Sequence, residues 1–467
     1  MFVIKKTTIF GILLILIAMM PPKVEAALLA SQLRYSNTAD KIRIVVDLNE
    51  KMELRQTEGF GKRIEIELGV GDIGKEVKDI IFTGEPVRQA KLFQISKNQL
   101  LLDILLNEEM IYRAFVLSNP WRLVVDIEKE YVLTEQDEIA PGLVYTETRQ
   151  SAKGRKLRTY YLIVDKNKWD IRPVLAKNEI FGRERLKNIV DNTAAVAAVN
   201  ASYFGGDGWI IGNLKIDGEI FAIENMLRTA LIVYHDNSME ISLLNYEGEV
   251  VLPSGISLPV KGMNRTVLAQ DLVIYSSKFA KSTKLLENGC DIVIDKQGKI
   301  LEVAPGGNTP LMEGKIVLSG QGLSGMHLSM LKKGDSLTLT QTMGEKGDKA
   351  KHVLGAGPRL LQGKRVVVAG NSENFLSDII NGRAPRTAIG LDGNGNVILF
   401  VVDGRSKESA GMTLTELAYE LLALGAVDAM NLDGGGSSEM VVGNHIMNVP
   451  SDKQERRISV ALGVFAR

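Results

Sequence analysis

The sequence predicts an α+β protein: a large C-terminal domain of mixed β-sheet with flanking helices, preceded by a small all-β, sandwich-like module. Three observations carry this. Residues 42–48 and 63–68 alternate apolar and polar side chains with period two, the signature of half-buried strands. Val397–Val402 is almost wholly apolar and too short for an ordinary helix, so it reads as a central strand. Thr413-Leu-Thr-Glu416 opens a stretch with apolar residues at Leu414, Leu417, Ala418, Leu421 and Leu422, which is a capped helix lying on a core.

The chain has 467 residues, enough for two or three domains of roughly 100–200 residues each. Lysine plus arginine and aspartate plus glutamate both number 56, so no global basic field for nucleic acid exists. The single cysteine, Cys290, excludes an intrachain disulfide and a cysteine metal cluster. Glycine, at 45 residues, is about a tenth of the chain against a usual roughly 7%, which points to many tight turns and close backbone approaches.

At the N-terminus Lys5 and Lys6 precede an apolar run from Ile9 to Met20, followed by Pro21, Pro22 and Ala26-Ala27. A basic start, a short apolar stretch and a small-residue site describe a secretory signal over residues 1–26. The run is short for a membrane span, which needs about 20 residues. An uncleaved anchor is the alternative. The expected location is extracytoplasmic, secreted or in the cell envelope, with no transmembrane span after signal removal.

Residues 28–130 form the β module. Further strands fit Leu92–Ile95, Leu100–Leu105 and Leu123–Ile127. Arg43-Ile-Val-Val-Asp47 is echoed by Arg122-Leu-Val-Val-Asp126. On this patterning the module resembles the AMIN domains, small β-sandwich modules that attach envelope proteins to cell-wall polymer. That resemblance implies a peptidoglycan contact. Residues 131–144 are charged, reach Pro141-Gly142, and read as a linker to the domain at 145–467.

Three stretches of that domain place polar residues where a core would want apolar ones. Ala194–Val199 reads as a buried strand with Asn200 at its mouth, followed by Tyr203 and the Gly205-Gly206 pair. A buried amide needs partners, so Asn200 either ties down a turn or bonds a substrate. Arg386 begins a strand that turns at Asp392-Gly-Asn-Gly395 into Val397–Val402, which ends at Asp403-Gly404-Arg405. Asp403 either caps the next turn or reacts. The third stretch follows the helix and its Gly425 cap: a strand over Val427–Leu432, then Asn431-Leu-Asp433-Gly-Gly-Gly-Ser-Ser-Glu439. Period two puts Asn431 and Asp433 on one face. Gly434, Gly435 and Gly436 would offer bare amides of the kind that bind anions. A hairpin turn is expected at Gly443-Asn444.

No P-loop, G-x-S-x-G elbow or H-E-x-x-H helix is present, and the four histidines have no ligand spacing. Acid–base work would fall to Asp403, Asp433 and Glu439. Asp403, Asp433 and Asn431 are oxygen donors of the type that suits Ca²⁺ or Mg²⁺, although the sequence shows no metal.

Asn200-Ala-Ser-Tyr-Phe, Gly355-Ala-Gly-Pro-Arg359-Leu, Arg386-Thr-Ala-Ile-Gly, Val402-Asp-Gly-Arg405, Gly411-Met-Thr-Leu, Asn431-Leu-Asp-Gly-Gly-Gly-Ser-Ser and Arg456-Arg457 together resemble the phosphodiester glycosidases, in that family's order. The resemblance implies hydrolysis of a sugar-1-phosphodiester at the glycosidic carbon, with an envelope or extracellular polysaccharide as substrate. It implies catalytic roles for Asp403, Asp433 and Arg386. It implies substrate contacts from Asn200, Tyr203, Arg359, Arg405, Asn431, Gly434, Gly435, Gly436, Ser437 and Ser438. Which carboxylate reacts stays open. So do two other readings, a cell-wall glycan-binding protein without catalysis and a phosphodiesterase cutting the P–O bond.

Overall fold

The computed structural model describes residues 28–467 other than 85, 97, 98, 207 and 225, together with the backbone of Val3 and Ile4. The expected signal at 1–26 otherwise lies outside the described residues. Among those described, no helix is long and apolar enough to cross a membrane. The chain divides into two compact units. One holds the described residues through Thr134 with Arg149–Lys156, and the other holds Glu135–Thr148 with Leu157–Arg467. The stretch read as a linker is largely strand, Tyr131–Ala140, and the division falls inside it. With few apolar side chains to bury, such a strand looks like a loop in sequence.

The first unit is all β. Lys41–Leu48 pairs with Leu28–Asn37 on one side and Arg122–Glu128 on the other. The long strand Gln99–Leu117 pairs with Arg122–Glu128 and with Glu58–Ile73, and the latter returns to Leu28–Asn37. Hydrogen bonding therefore closes on itself around Ile42, Ile44, Val46, Ile64, Ile66, Leu102, Ile104, Leu123 and Ile127, all buried. The echoed Arg-x-Val-Val-Asp strands are antiparallel neighbours in a register that sets Arg43 opposite Asp126. The two side chains join in a bidentate pair at 2.7 and 2.8 Å.

The second unit is dominated by strands. Its sheets are largely antiparallel and its helices are few and short, the longest being Leu414–Ala423. The expected mixed sheet with flanking helices is thus only partly found. One sheet runs Leu143–Ala152, Arg155–Val164, Val397–Val402, Arg386–Asp392, Ala426–Asn431, Arg359–Gln362. A second runs Trp169–Leu175, Val460–Ala466, Ala195–Asn200, Met440–Val442, His445–Ile446, with the expected hairpin turn at Gly443-Asn444.

Val397–Val402 is buried throughout because both faces are covered. Val397, Leu399 and Val401 pack toward the second sheet with Val199, Leu462 and Val464. Ile398, Phe400 and Val402 pack under Leu414, Leu417, Ala418 and Leu421 of the helix. That helix has the expected capping box: the Glu416 amide donates to the Thr413 hydroxyl at 3.2 Å, and the Thr413 amide donates to the Glu416 carboxylate at 3.0 Å. Gly425 follows at φ +95°, ending the helix in a conformation that favours glycine. Residues 214–355 build further sheets of short strands around Ile232, Val250, Ile274, Ile292 and Leu318.

Candidate active site

Strand register gathers the motifs at one edge of the first sheet. Arg386 lies opposite Val402, Ala388 opposite Asn431, and Arg359 opposite Met430. Residues that begin one strand or end its neighbour therefore share an edge. The end of the strand Ala195–Asn200 reaches the same place from the second sheet.

Asn200 does the joining. Its side-chain amide donates to the Asp433 carbonyl at 2.6 Å, and its Oδ1 accepts from the Thr387 hydroxyl at 2.6 Å and the Glu439 amide at 3.1 Å. Both acceptor positions of this fully buried oxygen are spent on the chain itself. Of the two roles weighed for Asn200, the tie is the one the geometry fills.

Asp433 sits just past the strand end at Asn431, so the expected shared face of these two residues is replaced by a turn. Its carboxylate accepts from the Gly434 amide at 2.9 Å and is half-buried. Burial pushes its pKa up to about 6, against the opposing pull of the Ser437 hydroxyl, the Gly434 amide and Arg456.

Asp403 is different. One of its oxygens accepts from the Tyr160 hydroxyl at 2.9 Å, and the other accepts from the Asn448 side chain and the Val449 amide, both at 3.1 Å. The residue is 4% exposed, and burial raises its pKa while these donors pull it down. This carboxylate braces the 448–449 segment, and with donors on both oxygens it does not fit the metal-ligand role considered for it. Among the described residues no three of His, Cys, Asp and Glu gather to hold a metal.

Glu439 is 2% exposed, and burial pushes its carboxyl up to about 9, assisted by the neighbouring Glu455 and opposed by Arg185. That shift favours its protonated form.

Two arginines approach the glycine turn. Arg386 is 3% exposed and donates through Nε to the Met412 carbonyl at 3.0 Å and through Nη2 to those of Ile379 and Gly382. Its Nη1 has no partner among the described residues. Burial lowers its pKa, and the nearby Arg405 adds to the effect. Arg405 is exposed and has no hydrogen bond or ion pair among the described residues. Its guanidinium lies over Gly435, where an added Cβ would sit 3.1 Å from Nη2 and where φ is +64°.

The glycine amides are less bare than the sequence suggests. Gly434 donates to Asp433, Gly435 to the Pro385 carbonyl at 2.9 Å, and Ser437 and Ser438 close the Gly435–Ser437 turn. The Gly436 amide is the one in the run without a partner among the described residues. What the turn does offer is orphaned oxygen. The Ser438 hydroxyl, Asn431 Oδ1 and Glu439 Oε1 are buried without a hydrogen bond among the described residues. Such a concentration calls for water or ligand.

Tyr203 donates to the Gly357 carbonyl at 3.0 Å and accepts from the Asn431 side chain at 2.8 Å, with Asp433 close enough to help burial raise its phenol pKa. Arg359 does not join the cluster. Its guanidinium turns to the Ile241 carbonyl and to Asp428 at 3.6 Å, while its amide bonds Glu373. Sequence reasoning missed Tyr160, Asn448 and Glu373, none of which stands in a motif. Glu373 is 3% exposed and receives Thr229 twice as well as the Arg359 amide.

Comparison with known proteins finds a family similar to part of this arrangement. Residues 287–465 match the family model described as phosphodiester glycosidase. That segment, which includes Arg386, Asp403 and Asp433, is similar to the phosphodiester glycosidases. The chain is 43% identical over 77 residues to the N-acetylglucosamine-1-phosphodiester alpha-N-acetylglucosaminidase of Homo sapiens, a match covering 16% of this chain and 15% of that protein. The SPbeta prophage-derived protein YomE of Bacillus subtilis (strain 168) is 39% identical over 79 residues, 17% of this chain and 12% of that one. The matched segments thus span only a small fraction of these curated relatives. Two solved structures share this chain's fold. One, a hypothetical protein from Synechocystis, has TM-score 0.65 at 20% identity and covers 95% of this chain and 81% of its own. The other, from Burkholderia pseudomallei K96243, has TM-score 0.62 at 18% identity and covers 72% of this chain and 97% of its own.

Proposed function

We propose that the second unit hydrolyses sugar-1-phosphodiesters at the glycosidic carbon, releasing sugar and a phosphomonoester. The observation that carries this reading is Asp433: a half-buried carboxyl with a pKa near 6, beside the glycine turn that Arg405 covers. Arg405 and the open Nη1 of Arg386 hold the phosphate as charge-assisted donors. The bond between the anomeric carbon and the phosphate oxygen breaks, and its electron pair leaves on phosphate, already a stable anion. The oxygen of water attaches to the anomeric carbon, and the proton it sheds goes to the Asp433 carboxylate. Asp403 and Asn200 hold the surrounding segments in place.

The human relative's name supplies N-acetylglucosamine as a first substrate to try. The AMIN-like module at residues 28–130 would dock the protein on cell-wall polymer, and the signal at 1–26 would bring it there. The test is purified protein with a synthetic N-acetylglucosamine-1-phosphate methyl diester in oxygen-18 water. Label in the sugar, together with loss of turnover in Asp433→Asn and Arg386→Ala, supports the reading. Label in the phosphate, or equal release by all three proteins, overturns it.

A further inference from the structure

A cleft lies in the second unit, away from the glycine turn. It is an open cleft of about 380 Å³ lined by Arg172, Lys177, Asn178, Asn192, Phe221 and Phe465 among others. That volume is within the roughly 300–1,000 Å³ range of small-molecule sites. The cleft and the candidate active site stand at opposite ends of one strand. Ala195 pairs with Phe465 at the cleft end, and Asn200 pairs with Ala461 at the other. Five strand steps of about 3.3 Å separate them by roughly 16 Å.

The charges around this cleft are unevenly committed. Of its two acidic residues, Glu184 is engaged by its neighbours, whereas the Asp217 side chain is 62% exposed. Glu184 accepts from the Arg185 amide at 3.0 Å and the Asn188 side chain at 2.9 Å. Asp217 faces Lys351 at 3.9 Å and His352 at 3.7 Å. Neither of its two basic residues, Arg172 and Lys177, makes a hydrogen bond or ion pair among the described residues. Lys177 acts on Glu184 only through its longer-range field. Arg172 lies over the Phe465 ring, its guanidinium carbon 3.9 Å from the centroid, a cation–π contact that leaves its N–H groups without a hydrogen-bond partner among the described residues. The Asn178 and Asn192 side chains are exposed and make no hydrogen bond among the described residues, and each offers both donors and an acceptor. Lys177 and Asn178 are consecutive left-handed residues at φ 54° and 57°, a conformation that costs non-glycine residues free energy and is kept where it serves a purpose.

We propose that this cleft is a second ligand site, for an anionic monosaccharide unit. Arg172 and Lys177 take the anionic group, Asn178 and Asn192 take ring hydroxyls, and Phe221 meets the apolar face of the ring. The site is separate from the proposed catalytic one and stands whether or not that reading holds.

The experiment uses the full chain with glucose 1-phosphate and glucuronate as probes, and methyl glucoside and inorganic phosphate as controls. Hydrogen exchange is followed by mass spectrometry and affinity by calorimetry. Expected is slowed exchange over residues 172–193 with one or both anionic sugars. In a folded Arg172→Ala/Lys177→Ala variant that protection is lost and affinity falls at least about tenfold, as loss of charge-assisted bonds predicts. Which probe binds tells phosphate from carboxylate. The proposal is overturned if protection is confined to the 431–439 turn. It is equally overturned if the variant binds as wild type does, or if either control protects 172–193 as well as the anionic sugars do.

Discussion

Replacing Asp433 with asparagine should sharply lower turnover and yet stabilise the protein at neutral pH. The substitution keeps the shape and the acceptor for the Gly434 amide, and it leaves the backbone bonds to Asn200 and Ala201 untouched. It removes a charge that burial disfavours. Lifting the carboxyl from 3.8 to about 6 corresponds to about 3 kcal/mol of preference for the neutral form. The side chain is partly open to solvent, so about 1–3 kcal/mol is the working range.

The sign follows from proton counting. Between pH 3.8 and about 6 the folded state holds this proton and the unfolded state does not, so wild-type stability falls as pH rises through that window and then levels. Asparagine has no such slope. The two proteins should be equally stable below pH 3.8, and the variant more stable above pH 6, by a few degrees in Tm. Urea titrations at pH 3.5, 5 and 8, followed by tryptophan fluorescence, read the difference. Loss of a positioned base predicts a fall of about 10²–10⁴ in kcat. A variant that is equally destabilised at every pH, or one that keeps full activity, would refute the reasoning.

Three other outcomes follow from the same geometry. Asp403→Ala strands the Tyr160 hydroxyl, the Asn448 side chain and the Val449 amide, and should cost about 3 kcal/mol in urea melts. Asp403→Asn costs less and keeps kcat per folded molecule within about tenfold. Gly436→Ala drives a methyl group into Arg456 and Asp452, whose pair at 2.6 Å is surface-exposed and worth under about 1 kcal/mol. Because Arg456 holds the Asp433 pKa down, displacing it should move the acid limb of the pH–rate profile upward. Glu439→Gln removes a carboxyl raised from 4.5 to about 9. Wild-type Tm should decline from pH 5 to pH 9 more steeply than that of the variant, as differential scanning calorimetry at both ends would show.

Local signals in the sequence translated well. Period-two patterning placed Ile64 and Ile66 inside, the capping box at Thr413 and Glu416 closed as written, and the unbroken apolar run ending at Val402 is covered on both faces. What did not translate depends on pairing between distant pieces of chain. Nothing near Tyr160 or Asn448 says that each will donate to Asp403, because 243 and 45 residues separate the partners. The glycine run reads as a cradle of free amides until the fold brings Pro385 against Gly435. Arg359 sits in a motif, but its direction is set by Asp428 across the register with the neighbouring strand. The sheet layout between the motifs was not legible for a related reason. Glycine-punctuated apolar segments of residues 214–355 pair as hairpins, and only their partners make that plain.

Three acidic residues of the motifs end in three environments, and that divergence argues for a division of labour. Asp403 is surrounded by donors, so protonating or moving it would disturb the 448–449 segment and the Tyr160 hydroxyl together. Glu439 is held toward its protonated form by burial and by Glu455, so it has a proton to give but, at 2% exposure, little access. Asp433 alone of the three combines partial exposure with a pKa near neutrality. Separated environments of this kind are how similar carboxyls acquire different tasks. A phosphate leaving group needs no strong acid, so one reactive carboxylate with arginines on the phosphate suffices. Asp433→Asn and Asp403→Asn therefore form a paired test. If Asp403→Asn loses kcat while Asp433→Asn keeps it, the reactive carboxylate is the one now read as a brace.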